Sequence, residues 1–274
     1  MEPEIEAHWN DGLRAALRLI DKRKNFEVKK HNLYKSDLID DIDFNFVLGW
    51  GGFNSPVDKF LVDLKEKEVP YEWHTIPKFG LCIGGNAFPP RQDNTYDVLF
   101  YETNWYKPQI EWHKNARRAF GINDDIFHSE EWGGFEGSYP EKLYDYVSVG
   151  SFSNWKRHEL ITKKEGNKLV VGQIQRNNAV ESMGIIARLL AHGVAVSDMV
   201  TPEKLALIYN LTDTVFIPAS IEGGGERAVW EALACGCKVE VEEDNLKLKE
   251  LLNTEPTNHH WYASALLAGI KSCL

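Results

Sequence analysis

The stretch Thr214–Val241 limits the possible folds of this chain more than any other. Its apolar run Val215, Phe216 and Ile217 has the length and β-branched character of a buried strand. Gly223, Gly224 and Gly225 follow, and then a helical segment from Glu226 to Ala234 with Val229 and Leu233 on one face. Gly236 is a helix stop, and Lys238 to Val241 starts another strand. Strand, glycine turn, helix and strand make a βαβ unit, which sets the turn at the C-terminal edge of a parallel sheet, where α/β proteins bind ligands. Glycines there let a ligand approach the main chain, and the free N–H groups of the helix start favour an anion. Glu222, Glu226, Arg227 and Glu231 put more polar groups around this turn than a solvated face requires. The chain has no G-x-G-x-x-G and no G-K-[ST], which argues against a dinucleotide fold and a P-loop.

The same alternation recurs along the chain. Leu13, Ala16, Leu17 and Ile20 predict an amphipathic helix over 11–24, capped by Asn10 or Asp11, with a short possible strand from Ile5 to Trp9 before it. Phe26 to Asn32 alternates weakly, and Asp43 to Gly49 reads as a strand ending in Trp50-Gly51-Gly52. Pro56 opens a helix, Phe79, Leu81 and Ile83 mark a strand ending at Gly84-Gly85-Asn86, and Asp97 to Glu102 marks another. A helix is expected over Pro108 to Phe120, and residues 129–145, with three glycines and Pro140, read as a linker. Beyond it, strands at 146–150, 168–174, 194–197, 214–219 and 238–241 alternate with helical segments near 153–165, 178–192, 202–210, 226–235 and 245–252. A last helix is expected over about 258–273. This is the α/β doubly wound pattern, met twice.

Composition narrows the function classes. Hydrophobic residues make up 43% of the 274, ample for a core, and the formal net charge is −10. Up to residue 145 there are 18 Lys and Arg against 26 Asp and Glu, so a broad nucleic-acid or anionic-membrane surface is not expected there. No apolar run approaches a membrane span, and Cys82, Cys235, Cys237 and Cys273 form no C-x-x-C pair, which points to reduced core cysteines in a cytoplasmic protein. Asp41-Ile42-Asp43 precedes a strand rather than following one, and the nine histidines show no H-E-x-x-H, so no metal is expected.

Glu231-Ala232-Leu233-Ala234-Cys235-Gly236 matches the second half of the string E-G-F-G-x-P-x-x-E-A-x-A-x-G, residue for residue. In this the chain resembles retaining glycosyltransferases of the GT-B fold, family 4 type. Counting back from Glu231, the family's leading glutamate falls on Gly223, with Glu222 one residue earlier and Glu226 three later. Val149-Gly150-Ser151-Phe152-Ser153-Asn154-Trp155-Lys156-Arg157 is similar to the V-G-R-L-x-x-x-K-G segment that opens the second domain of these transferases. Ser151 stands at the arginine, and the lysine falls on Lys156 or Arg157. Phe120-Gly121-Ile122-Asn123 through Phe127 resembles the segment before the linker.

The resemblance implies two Rossmann-like doubly wound domains, an acceptor domain over 1–145 and a nucleotide-sugar donor domain over 146–274, with the last helix crossing back to the first. It implies a nucleotide-diphosphate sugar as co-substrate, no cofactor, an unidentified acceptor, and retention of the anomeric configuration. The donor set is Ser153, Lys156, Arg157, Glu222, Gly223, Gly224, Gly225, Glu226, Arg227 and Glu231, with Glu231 holding the ribose. Transfer needs neutralisation of the leaving diphosphate, which Lys156 or Arg157 and the Gly224–Glu226 main chain can supply. The expected catalytic residues are Glu226, Lys156 and Asp11, and the acceptor residues Trp50, Gly51, Asn86 and Glu102. If the enzyme inverted instead, Asp11 or Glu102 would be the base. Two other readings stand beside this one. One is a phage-type transferase acting on hydroxymethyl pyrimidines of DNA, with Lys22-Arg23-Lys24, Lys29-Lys30 and Arg117-Arg118 on phosphates. The other is a nucleotide-sugar-binding module without activity.

Overall fold

The computed structural model describes residues 11–23, 27–28, 45–66, 77–84, 92–129 and 142–274, without the side chains of Asp11 and Arg176. The strand expected over Ile5–Trp9, most of that over 26–32, Asp41-Ile42-Asp43, Asn86 and most of the linker lie outside these residues. The described chain divides into two compact units, Gly12–Gly121 with Thr257–Leu274, and Ile122–Pro256. Each is built on a parallel sheet.

In the first unit, β1 (Phe46–Trp50), β2 (Lys78–Ile83), β3 (Val98–Tyr101) and β4 (Ala116–Arg118) lie side by side in chain order, all parallel. One face is covered by α1 (Asp11–Asp21) and α8 (His259–Lys271), through Leu13, Ala16, Ile20, Tyr262, Leu266 and Leu267. Burying each of those larger apolar side chains contributes about 1.5–3 kcal/mol. The other face packs against α2 (Pro56–Glu66) and the short turn α3 (Lys107–Ile110). The C-terminal helix thus crosses back onto the first sheet. Gly269 lets it come close, since a Cβ there would lie 2.4 Å from the Phe100 ring.

A long helix over Pro108–Phe120 does not form. The chain leaves α3 after Ile110 and returns as β4, where Ala116–Arg118 pairs in parallel with the open edge of β3. The Leu99 amide donates to the Asn115 carbonyl at 3.0 Å, and Asn115 Nδ2 donates to the Asp97 carbonyl at 3.1 Å, fixing the turn.

The second unit holds β5 (Tyr144–Ser151), β6 (Lys168–Gln173), β7 (Ala195–Asp198), β8 (Thr212–Ile217) and β9 (Lys238–Val241). Their order is β7-β6-β5-β8-β9, all parallel, so the strand order reverses beside β5. Ligands bind at such reversals, outside the carboxyl ends of the strands. The helices are α4 (Ala179–Ala191), α5 (Pro202–Asn210), α6 (Glu226–Ala234) and α7 (Leu246–Leu252). The helix expected over 153–165 is instead two 3₁₀ segments, Asn154–Lys156 and His158–Lys163. Arg157 separates them in the left-handed region, with φ 50°.

Candidate functional site

The ends of β5 and β8 carry the loops that build the site. The loop after β5 is braced from below. His158 is 1% exposed, with Nδ1 2.9 Å from the Ser148 hydroxyl and Nε2 3.1 Å from the Ser151 carbonyl. A carbonyl only accepts, so Nε2 carries the proton and Nδ1 accepts from Ser148. Burial first, then the Lys156 charge, push this imidazole down to about 4, and it is neutral at physiological pH. Ser182 Oγ donates to the Phe152 carbonyl at 2.7 Å, and the Asn154 amide donates to Glu181 at 2.7 Å. Ser153 is fully buried beside Ser151, their hydroxyls 3.1 Å apart.

Lys156 and Arg157, adjacent in sequence, lie in different surroundings. Arg157 makes a two-pronged pair with Asp244, both contacts 2.7 Å, and its Nε donates to the Pro218 carbonyl at 2.6 Å. Its guanidinium therefore ties the two loops together. The Lys156 stem lies across Gly150, whose Cβ, were there one, would be 3.0 Å from Lys156 Cε. Among the described residues its ammonium has no hydrogen bond or ion pair. Burial lowers it to about 8, Glu226 acting against the fall and Lys247 and Arg227 adding to it.

The glycine turn closes against this loop. The Ser220 amide donates to the Trp155 carbonyl at 2.8 Å. At Gly223 a Cβ would lie 2.5 Å from that same carbonyl and 3.0 Å from Ala219 Cβ, so no side chain fits. Gly224 and Gly225 have φ 61° and 128°, and a Cβ on Gly225 would meet Ile217 at 2.9 Å. Glu222 is exposed. Glu226, the first residue of α6, is 3% exposed and lies 3.1 Å from the ammonium of Lys247, on α7, which is fully buried. The contact is a buried ion pair. Burial raises the Glu226 carboxyl, but the Lys247 charge, its own N–H, the Lys247 contact and Lys156 outweigh this and hold it below the ordinary value. Five positions on, Glu231 is 5% exposed, with Oε1 3.7 Å from Arg227 Nε. Its charge reaches Tyr209, whose phenol burial chiefly, and Glu231 next, push well upward.

Lys247 was not singled out by the sequence. Its neighbour Leu246 is 59% exposed, while Lys247, Leu248 and Leu251 share the buried side of α7. In the sequence the sole hint is that Lys247 falls four residues before Leu251, on the side of the helix that Leu248 also shares.

In the first unit, three of the expected acceptor residues lie at the carboxyl ends of the strands. Trp50 ends β1, with its Nε1 buried and without a hydrogen-bond partner among the described residues. Glu102 follows β3 and is 7% exposed. Gly84 keeps the two side chains close, since a Cβ on it would lie 2.8 Å from Glu102 Oε1 and 3.1 Å from Trp50 Nε1. A Cβ on Gly51 would come within 2.9 Å of the Ser55 hydroxyl. Asn86 is outside the described residues, and Asp11 opens α1 with its side chain likewise outside them. Arg118 Nε donates to the Glu102 carbonyl at 3.2 Å and Arg117 Nε to Asn115 at 3.0 Å, while Lys24, Lys29 and Lys30 are not described.

All four cysteines are free. Among the described residues no group of three His, Cys, Asp or Glu is placed to hold a metal ion, and no helix is long and apolar enough to cross a membrane.

No family model matches the chain, and no curated protein matches it significantly. Solved structures do. A glycosyltransferase of avilamycin A biosynthesis aligns with TM-score 0.57 at 11% identity, over 96% of this chain and 87% of its own. Sucrose-phosphate synthase from Thermosynechococcus elongatus aligns with TM-score 0.55 at 15% identity, over 82% of this chain and 65% of its own. HepE of Anabaena, in complex with UDP and glucose, aligns with TM-score 0.50 at 12% identity, over 72% of this chain and 62% of its own. The chain spans less than two thirds of the length of the last two. At such identities the likeness establishes the fold: two Rossmann-like domains of the GT-B class found in glycosyltransferases, with the C-terminal helix belonging to the first.

Proposed function

We propose that this protein is a glycosyltransferase that takes a sugar from a nucleotide-diphosphate sugar held at the edge of the second sheet. The observation that carries the reading is Lys156. An ammonium half-buried at the point where strand order reverses, beside a glycine turn that opens a helix and without a hydrogen-bonded partner among the described residues, is suited to stabilise an anionic leaving group. Glu231, behind it on α6, is the candidate for the ribose diol, and Glu226 for the sugar side. HepE, which shares the fold, was solved with UDP and glucose, which favours a uridine donor as the first to try.

Neutralisation by Lys156 and the turn's N–H groups needs no metal, so transfer is expected to survive a chelator. Retention is expected because the matched string is that of retaining enzymes. The acceptor belongs to the first unit, where Trp50 and Glu102 offer an indole N–H and a carboxylate to a hydroxyl-bearing acceptor. The test is a panel of nucleotide sugars, followed by calorimetric binding and by release of the free nucleotide. Binding with slow hydrolysis is the expected result, and Lys156→Ala should weaken a diphosphate more than a monophosphate. Binding without turnover under any acceptor would favour a non-catalytic module. Absence of binding across the panel would reject the reading.

A further inference from the structure

The Glu226–Lys247 pair is unusual for its depth. The two side chains are 4% and 0% exposed, and their charged atoms are 3.1 Å apart. A buried ion pair contributes little to stability compared with an apolar pair of the same volume, so its retention at a ligand edge calls for a use. Among the described residues, the charged groups that act on or adjoin Glu226 are Lys247 from α7, Lys156 from the loop after β5, and Arg227 beside it on α6. All are cations. Glu226 also accepts from its own main-chain N–H. An ionised carboxylate has about four lone-pair sites, so beside Lys247 and its own N–H it keeps acceptor capacity at the start of α6.

We infer that Lys247 is a positioning residue, which fixes the Glu226 carboxylate in the glycine turn as an acceptor for hydroxyl groups of the donor's sugar. The two lysines then serve different parts of one ligand. Lys156, half-buried and without an ion pair among the described residues, suits the phosphates. A carboxylate would repel phosphate but accepts from neutral hydroxyls, and its pairing with Lys247 leaves that end of the site nearly neutral. Lys247, being fully enclosed, acts through Glu226 and touches no ligand itself. The inference rests on the donor reading above and names the group that would recognise its sugar.

The experiment is calorimetric titration with matched pairs, UDP and UDP-glucose, ADP and ADP-glucose, GDP and GDP-mannose, from pH 5.5 to 8.5. The readout is the ratio of the diphosphate's Kd to that of its sugar conjugate. In Glu226→Gln and Lys247→Met the ratio should fall at least tenfold at pH 6, while the free diphosphate stays within about threefold of wild type. In Lys247→Met the ratio should recover as pH rises, because a carboxyl without its ammonium ionises only at higher pH. Glu226→Gln should show no recovery, and Lys247→Arg should keep most of the wild-type ratio. Thermal melts identify any variant that does not fold, and Lys247→Arg and Glu226→Gln carry the test if Lys247→Met is among them. An unchanged ratio in the folded variants, or equal loss of diphosphate and conjugate without pH dependence, overturns the inference while leaving the donor reading intact. Failure of the wild type to bind any pair overturns the donor reading itself.

Discussion

His158 allows a pH prediction whose size follows from its surroundings. The ring is 1% exposed, its two nitrogens are matched to a hydroxyl and a carbonyl, and the ammonium of Lys156 acts on it. With an ordinary value of 6.5 in the unfolded chain and about 4 in the folded one, the unfolded state binds more protons between those limits. Stability from this residue is therefore complete above pH 7.5 or so and is lost as pH falls toward 4. The linkage relation gives a loss of about 2 kcal/mol between pH 8 and pH 5, approaching about 3.4 kcal/mol below both values. Other groups titrate over the same range, so the contribution is isolated by difference. Gln at this position can donate to the Ser151 carbonyl without titrating, and His158→Gln serves as the reference. Urea unfolding at the two pH values, in both proteins and with equal m-values, should show wild type losing about 2 kcal/mol more than the variant. A proton NMR titration should leave the His158 ring unshifted down to pH 5. An imidazole titrating between pH 6 and 7, or the same pH dependence in both proteins, would refute the reasoning.

Three further outcomes follow from the same geometry. Gly223→Ala should cost about 1–3 kcal/mol in thermal or urea unfolding and should weaken nucleotide binding, because its Cβ would sit 2.5 Å from the Trp155 carbonyl and push the Lys156 loop away. Arg157→Ala should cost only about 1 kcal/mol, the Asp244 side of the pair being 58% exposed, and should weaken UDP less than Lys156→Ala does; the reverse order in calorimetry would exchange their roles. Asp58→Ala should destabilise the first unit by about 3 kcal/mol in urea unfolding without altering nucleotide affinity, since buried Asp58 accepts from the Tyr96 hydroxyl at 2.5 Å and the Asn54 amide at 2.7 Å.

The parallel sheets were readable because buried strands announce themselves by apolar runs between glycine turns. Val215–Ile217, Leu169–Val171 and Val98–Phe100 are all fully or nearly fully buried. What the pattern missed was decided by partners distant in the chain. Ala116–Arg118 became a strand because β3 had an edge to fill, and nothing in a charged tripeptide reports that edge. Arg157 broke the expected helix after β5 because its guanidinium reaches Pro218 and Asp244, 61 and 87 residues away.

The place of the candidate site on the fold was legible to a similar depth, and its local packing was not, for a related reason. A motif string records side chains that contact a ligand, and at Glu231 and the three glycines it led to the sheet edge. It does not record which backbone must pass close by. The Trp155 carbonyl stands where a side chain on residue 223 would begin, so a glutamate cannot occupy that position in this chain. A carboxylate near the turn can come only from a residue whose side chain avoids that carbonyl, and Glu226, entering from the first turn of α6, does so. Moving the carboxylate into the base of a helix also buries it, which by itself would raise its pKa and neutralise it. An ammonium from α7 then keeps it ionised. The bare backbone at 223, the carboxylate at 226 and the ammonium at 247 are thus parts of one packing arrangement. Gly223→Glu would therefore not restore a glutamate to the motif, but would displace the loop that carries Lys156.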